Sequence, residues 1–445
     1  MTFLDLLAVV SVIGAALAML IVLRIFARFT PSSPEWLRKI AHLGTGALAI
    51  PFPWIFSSPL PVFIVCGLSM ALLLSIRFIP PIRRRFSGVL DSVNRISWGE
   101  FYFPISVTIL FALARGDKLL YTIPILVLSL ADTVAALLGT SYGRYGYRGV
   151  GGKKSVEGSV AFFTVAFFAI HVPLLLLTQM DRPQTLLVAV DIAVIVTLLE
   201  AVAWSGLDNL FIPLGVFLLL HIYMSMPLKL LIFRLVIATV LLGFVFVYRS
   251  RTTLEGSALL ASALALYASW AIGGWRWLLP PLILFCSYSL FYPGRIKGIE
   301  RRHNVYAVSS VASTGLLWIY VAHLKGNSDL LFPYTAAFAM HLVLLGWTLS
   351  CLRDPARTLW KSGPLVVLEG WLLLFIPFVL IGGFSITSLL LAGTALPLCG
   401  LAFCIFCWIE PRRNGEYSVS PRRWMRQAVI VLVITGLIVG LQEIR

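Results

Sequence analysis

Charge is scarce in this chain. Only 12% of its 445 residues are Asp, Glu, Lys or Arg, while 59% are hydrophobic. A soluble domain carries about 25% charged residues, so an ordinary soluble globular protein is excluded. Acids are the scarcer sign: 19 Asp and Glu face 35 Lys and Arg, a formal net charge of +16. Such an excess could suit nucleic acid. Here, however, the basic residues fall in short loops between apolar runs, the pattern of cytoplasmic loops in a membrane protein. The partner expected is the lipid bilayer, with no nucleic acid. Cysteine is sparse too, with six residues. Cys404 and Cys407 form a CxxC inside an apolar run, with no histidine or second pair nearby, and read as packing rather than as a metal or redox site. No A-x-A-like cleavage site follows the first apolar run, and neither a short-period repeat nor a GxxxxGK[ST] phosphate loop is present.

Apolar runs fill the rest. A membrane span takes about 20 such residues. Cutting on that length gives about sixteen transmembrane helices, near 3–23, 40–56, 60–76, 100–114, 119–139, 156–178, 185–204, 210–225, 228–248, 255–272, 276–292, 305–323, 332–351, 364–383, 386–408 and 427–441. Several are short or broken by proline, and re-entrant segments are the alternative for these. The expected fold class is all-α, a polytopic integral membrane protein. Alternate loops hold 27 of the 35 lysines and arginines, which places those loops in the cytoplasm and both termini outside. A prokaryotic cell membrane is the expected location. A composition shift at YRSRTTLEGS, residues 249–256, sets two domains, 1–250 and 251–445.

Five polar patches interrupt the first domain. Glu35, Arg38, Lys39 and His42 are spaced to share one helical face. An interface-anchoring cluster is the plain reading, although His42 lies two turns into the apolar run. Glu100 opens a span, where helix capping alone could explain a carboxylate. Asp132 falls near the middle of a span, where capping cannot explain it. An ionisable group at that depth costs about 2.5–3.5 kcal/mol on insertion scales. It either serves chemistry or pairs with an Arg or Lys on another helix. If it binds metal, Asp132→Asn should bury a cheaper group and leave stability intact. Gly143 and Arg144 follow in a flexible basic loop. Then comes Gly151-Gly152-Lys153-Lys154-Ser155-Val156-Glu157-Gly158. Its glycines admit a phosphate, its lysines supply charge, and a helix starting near Ser155 offers free N–H groups. Simple anchoring is the alternative for the lysines. Last come Glu200 and the pair Asp208-Asn209, for which turn chemistry is the alternative. In the topology above, the first and fourth patches, Glu100, Glu200 and Asp208 all face the cytoplasm. Together they make one polar pocket with acidic metal ligands and basic phosphate ligands. Mg²⁺ takes oxygen ligands and is usually shared with substrate phosphates, so this set suits phosphoryl transfer.

In this order the patches resemble the CTP-dependent lipid kinases: dolichol, phytol and farnesol kinases and the CTP-using diacylglycerol kinase. An RK-x-x-H patch is matched by Arg38-Lys39-Ile40-Ala41-His42, and GE-x-x-FP by Gly99, Glu100, Phe103 and Pro104. D-x-x-A-x-x-x-G is matched by Asp132, Ala135 and Gly139, and FG[RK] by Tyr142-Gly143-Arg144. KK[ST]-x-EG is matched by Lys153 to Gly158, and E…DN-x-x-x-P by Glu200, Asp208, Asn209 and Pro213. Ala131 departs from the family, which more often has glycine there. The resemblance covers about the first 215 to 250 residues. It implies phosphate transfer from CTP, with Mg²⁺, to a membrane lipid alcohol; an isoprenoid alcohol comes first and diacylglycerol second. Asp132, Glu157, His42 and Glu100 are the catalytic candidates. Arg144, Lys153, Lys154, Ser155, Arg38, Lys39 and Asn209 are candidates for the nucleotide, and Asp132, Glu200 and Asp208 for the metal. The KK[ST]-x-EG patch is also similar to one in CDP-diacylglycerol synthases, but the GDL…KR…KD string of those enzymes is absent. A non-enzymatic transporter of anionic lipid or phosphate is a further alternative. The second half is weakly similar to the phytyl-phosphate kinase family, through Leu254–Trp275, Arg301–Ser313 and SPRRWMRQ at Ser420–Gln427. That family's acidic motif has no counterpart in Thr335–Ser350, and Glu369 is the main acid within a later span. This half is expected to be non-catalytic.

Overall fold

A computed structural model describes residues 2–29, 34–81, 98–149, 152–252, 254–291, 303–354, 358–410, 417 and 420–443. Outside them lie Gly151 of the glycine pair, and Arg83, Arg84, Arg85, Arg95, Arg295, Lys297, Arg301, Arg302, Arg357, Arg412, Arg413 and Arg445 of the loops. The side chains of Arg28, Glu35, Arg148, Lys153, Arg251 and Arg353 also lie outside.

The chain is an all-α polytopic membrane protein. It divides into two compact units, Met1–Val236 and Ile237–Arg445. Unit 1 contains α1 (Phe3–Phe29), α2 (Pro34–Ala49), the single turn α3 (Phe52–Ile55), α4 (Pro59–Phe78), α5 (Gly99–Ala114) and α6 (Lys118–Tyr142). A hairpin of β1 (Gly146–Gly149) and β2 (Gly152–Ser155) follows, then α7 (Val156–Leu177), α8 (Arg182–Val202) and α9 (Asp208–Tyr223). The division falls inside α10 (Leu228–Val247); the compositional break at 249–256 coincides with a 3-10 turn, Tyr248–Arg251. Unit 2 continues with α11 (Gly256–Gly273), α12 (Trp275–Phe291), α13 (Val305–Lys325), α14 (Leu331–Arg353), α15 (Leu359–Gly382), α16 (Ile386–Ile409) and α17 (Pro421–Glu443).

Among the described residues, eleven helices are long and apolar enough to cross a bilayer, fewer than the sixteen expected. They match eleven of the expected spans. The other five fall on α2, α5, α9, α12 and α17. Three of these, α2, α5 and α9, have 16 residues each. At 1.5 Å per residue they reach about 24 Å, short of a hydrocarbon core of about 30 Å. Proline explains one break: Pro51, the N-cap of α3, separates it from α2, and Pro53 follows in its first turn, so 40–56 is not one helix.

In unit 1, α6 packs against α2, α5, α7 and α9, and α8 lies on α7 and α9. Its apolar core includes Val62, Leu110, Tyr121 and Ile125, all buried, and the Tyr121 hydroxyl donates to Ala49 O at 3.0 Å. Arg115 and Gly116, both in the left-handed region (φ +48° and +88°), reverse the chain between α5 and α6. Asp117 then caps α6 by accepting from the N–H groups of Leu119 and Leu120. In unit 2, α14 is the hub, packed against α12, α13, α15, α16 and α17. Of its span Leu331–Cys351, every residue but Leu331 and Thr348 is buried. Buried His341 bridges Thr314 (3.0 Å) and Gln427 (2.9 Å).

Candidate functional site

The site begins with α2. Its apolar residues Leu37 and Ala41 are buried, and a turn's spacing puts Lys39 and His42 toward α6. Lys39 is 2% exposed and its Nζ lies 2.5 Å from Asp132 Oδ2. The same amine donates to the Asp132 backbone oxygen at 3.3 Å. His42 Nε2 lies 3.5 Å from the same carboxylate oxygen, and its ring meets Phe103 of α5 edge-on at 5.9 Å. Asp132 is 8% exposed. The alternative of a pair with a basic residue on another helix is therefore realised for this aspartate.

The second part hangs on the α6–hairpin–α7 connection. Sequence reading leaves this stretch as a loop, but its residues pair as β1 and β2, with Tyr147 opposite Lys154 and Arg148 opposite Lys153. Gly152 has φ +122°, open to glycine and rarely to other residues. Ser155 ends the hairpin and caps α7, accepting from Gly158 N at 3.1 Å. Glu157, placed by sequence among the catalytic candidates, accepts the Tyr145 N–H at 3.2 and 3.3 Å. Its bonds go to the hairpin rather than to the Asp132 group. Close approach of α6 and α7 depends on small residues. A Cβ on Gly158 would meet Ala135 O and Ser155 Oγ at 3.1 Å and Gly139 Cα at 3.3 Å.

This connection delivers Lys154 to α8. Its Nζ lies 2.8 Å from Glu200 Oε1 and also donates to the Glu200 backbone oxygen. Burial works against the Lys154 ammonium, but the charges of Glu200 and Asp208 outweigh it and hold its pKa above the ordinary lysine value. Tyr147, across the hairpin, shares a hydrogen bond with Ser159 (2.8 Å). Burial and the Glu200 charge push its phenol above the ordinary range. No motif marks Tyr147, and its strand, Gly146–Gly149, has no period by which to find it.

The third part is the α8–α9 turn. Ser205 and Gly206 adopt left-handed backbone (φ +53° and +86°), turning the chain so that Asp208 and Asn209 open α9. Asn209 Nδ2 donates to Gly99 O at 2.8 Å, and Trp98 N–H donates to Ser205 O at 3.1 Å. The two acidic motifs, Gly99-Glu100 and Asp208-Asn209, are thus fastened together. Glu100 is half-buried in the first turn of α5. Asp208 is near enough for its charge to act on His42, Lys154 and Glu200, and its Oδ1 is buried without a hydrogen bond. Arg38 acts electrostatically on His42 and Asp132. Arg144 is exposed on the loop before the hairpin. The Lys153 side chain lies outside the described residues.

Lys39, His42, Asp132, Lys154, Glu200, Asp208 and Asn209 therefore come together from α2, α6, β2, α8 and α9. Among the described residues no three His, Cys, Asp or Glu side chains group closely enough to enclose a metal ion themselves. Asp132 and Glu200 each hold a lysine, whereas Asp208 has the unbonded buried oxygen. An Mg²⁺ held chiefly by phosphates needs one or two carboxylates, and this donor set fits that kind of ion better than a closed protein cage.

Comparison with curated proteins gives a match to the phytol kinase of Synechocystis sp. The two are 32% identical over 190 residues, which make up 42% of this chain and 79% of that relative. No family model matches, and no solved structure does. Nearly four fifths of that relative is covered at this identity, and the chain belongs to the phytol kinase family.

Proposed function

We propose that unit 1 transfers the terminal phosphoryl group of CTP to the hydroxyl of an isoprenoid alcohol, giving CDP and a lipid monophosphate. Phytol, farnesol or a polyprenol is the substrate class; diacylglycerol is the second. The observation that carries this reading is the gathering of Asp132, Glu200 and Asp208 with Lys39, Lys154 and His42. Carboxylates to place a cation, lysines for phosphate oxygens and an imidazole beside a carboxylate are the parts that phosphoryl transfer needs. The name of the Synechocystis relative, phytol kinase, favours phosphotransfer over cytidylyl transfer or transport. CTP as donor rests on the motif resemblance.

The chain's own groups divide the work as follows. Lys154, Lys39 and exposed Arg144 hold the phosphates. The hairpin sets the reach of Lys154, and Tyr147 backs it. His42 and Asp132 are placed to accept the proton that leaves the alcohol oxygen as the new P–O bond forms. Asp208 and Glu200 would hold Mg²⁺, which when bound offsets charge on the transferred group. A cytoplasmic side for these residues rests on the basic loop they adjoin, with Arg144, Lys153 and Lys154.

The test is product analysis with purified full chain, labelled donor, Mg²⁺ and a panel of phytol, farnesol, polyprenol and diacylglycerol. Monophosphate with CTP, and little with ATP, is the expected result. CDP-lipid with release of pyrophosphate would move the assignment to the cytidylyltransferases.

A further inference from the structure

Tyr145 takes no part in the phosphate contacts, yet the loop is built around it. Its residue is 73% exposed, while its backbone is held on both sides. The N–H donates to both oxygens of the Glu157 carboxylate, at 3.2 and 3.3 Å. The backbone oxygen accepts from Val156 N–H at 2.9 Å. The chain just before it is fixed as well, because a Cβ on Gly143 would overlap Gly139 O and the Ser155 side chain. An open ring on so fixed a main chain needs little further ordering when a ligand meets it, and such preorganisation favours binding.

The hairpin register places the ring. Gly146 pairs with Ser155 and Tyr147 with Lys154. The Val156 bond carries that pairing one step outward, so Tyr145 falls opposite Val156, on the face shared by Tyr147 and Lys154. Two residues along a strand cover about 7 Å. A nucleotide with its phosphates at Lys154 has its base one ribose away, a comparable length. Exposed Arg144 precedes the ring in the chain, and its charge acts on Glu157. Basic groups along the phosphates with an aromatic face for the base are how nucleic-acid strands are held, and the same physics applies to a single nucleotide.

We propose that Tyr145 stacks on the base of the bound nucleotide, and that Glu157 is the positioning residue that holds Tyr145 in place. This rests on the reading of Lys154 and Arg144 as phosphate ligands. Every base has a π face, so stacking supplies affinity without choosing cytosine. Glu157 acts through the Tyr145 main chain and not on the transferred phosphoryl group. An amide oxygen accepts the same N–H, so Glu157→Gln keeps the arrangement and Glu157→Ala loses it.

The test is equilibrium binding to detergent-solubilised full chain with Mg²⁺, using CTP and inorganic tripolyphosphate as probes. The proteins are wild type, Tyr145→Ala, Tyr145→Phe, Glu157→Gln and Glu157→Ala, and phytol phosphorylation is followed in parallel at limiting and saturating CTP. Tyr145→Ala should weaken CTP binding by about fivefold or more, the lower end of base stacking on an aromatic, and leave tripolyphosphate binding unchanged. Tyr145→Phe should bind CTP as wild type does, since the ring and not the hydroxyl does the stacking. Glu157→Ala should follow Tyr145→Ala, with the loss in KM for CTP rather than in kcat, and Glu157→Gln should follow wild type. Equal loss of CTP and tripolyphosphate in Tyr145→Ala, or no loss of either, overturns the proposal; no loss is what a tyrosine seated among lipid headgroups would give. A large fall in kcat for Glu157→Gln at saturating CTP overturns the positioning role. Should Tyr145→Ala not fold, Tyr145→Leu decides, since it keeps an apolar side chain and removes the π face. Tyr145-dependent CTP binding by a chain that phosphorylates no lipid would sink the kinase reading alone. Phytol phosphorylation that Tyr145→Ala leaves untouched at limiting CTP would sink this inference alone, and a wild type that binds no CTP would sink both.

Discussion

Asp132 and Lys39 set the energetics at the scale of single residues. Both are buried, and their ends are 2.5 Å apart. Sequence alone makes Asp132→Asn look harmless to folding, because an amide is cheaper to bury than a carboxylate. The structure reverses the sign: the substitution strands the Lys39 ammonium. Breaking a buried pair from one side costs about 3–5 kcal/mol. Asp132→Asn is therefore expected to lower the unfolding temperature in detergent as well as cutting turnover by 10²-fold or more, the scale of lost electrostatic catalysis. Removing both charges, with Lys39→Met and Asp132→Leu, should restore most of the stability and none of the activity. Activity of Asp132→Asn above about a tenth of wild type would count against its catalytic role.

Lys154 gives a pH prediction with a fixed sign. Its folded pKa is raised above the ordinary 10.5. Its contribution to stability is therefore complete below about pH 10.5 and disappears as pH climbs through the higher folded value. Lys154→Met should show a smaller alkaline loss of stability than wild type, with a constant difference between the two from pH 6 to 9. Thermal scans in detergent from about pH 6 to about pH 11, which takes in the alkaline loss, check it. A difference that grows toward acid pH would contradict the assigned partners.

Elements decide how those residues meet, and here the sequence is legible in part. Eleven long spans can be read from length and hydropathy alone, because nothing but lipid or protein could cover them. The short helices α2, α5 and α9 cannot: their apolar runs look like spans, and only packing shows that they stop early and bring polar ends into the site. The hairpin was hidden for a different reason. Four-residue strands rich in Gly, Lys and Arg have no apolar face to give a period. The residue types at the site could be named from charge order, but the pairings Lys39–Asp132 and Lys154–Glu200 span 93 and 46 positions, and no local pattern encodes them. At this scale Gly158→Ala is the informative change. Its Cβ would press on Ala135 O and Ser155 Oγ at 3.1 Å. Overpacking of this kind costs about 1–3 kcal/mol, and the shift would carry Lys154 away from Glu200. Turnover should fall while a circular dichroism spectrum keeps its helical signal; unchanged turnover would show that the α6–α7 contact does not position the hairpin.

For the whole molecule, the division of labour between the units is the question. The site groups named above all belong to unit 1, and the absence of acids from Thr335 to Ser350 was readable at once. Glu369, half-buried on α15, is the acid to test. Glu369→Gln is expected to leave phytol phosphorylation within about twofold of wild type, far from the 10²-fold losses that follow removal of a catalytic group. No lipid diphosphate should form in either protein. A diphosphate product that vanishes in Glu369→Gln would make unit 2 a second kinase.

The hub helix α14 bears on how the chain is made. A segment so completely sheathed by its neighbours has little to gain from lipid, and His341, Thr335 and Ser350 make it a poor candidate for insertion on its own. During synthesis it must wait for α15, α16 and α17 to emerge before it is covered. A chain halted after Arg353 should therefore be cleared by membrane quality control faster than one halted after Glu443, a difference that pulse–chase labelling would reveal. The same dependence makes the late helices of unit 2 guardians of the early one, so that damage near the carboxyl end of the protein would be felt first as a failure of biogenesis.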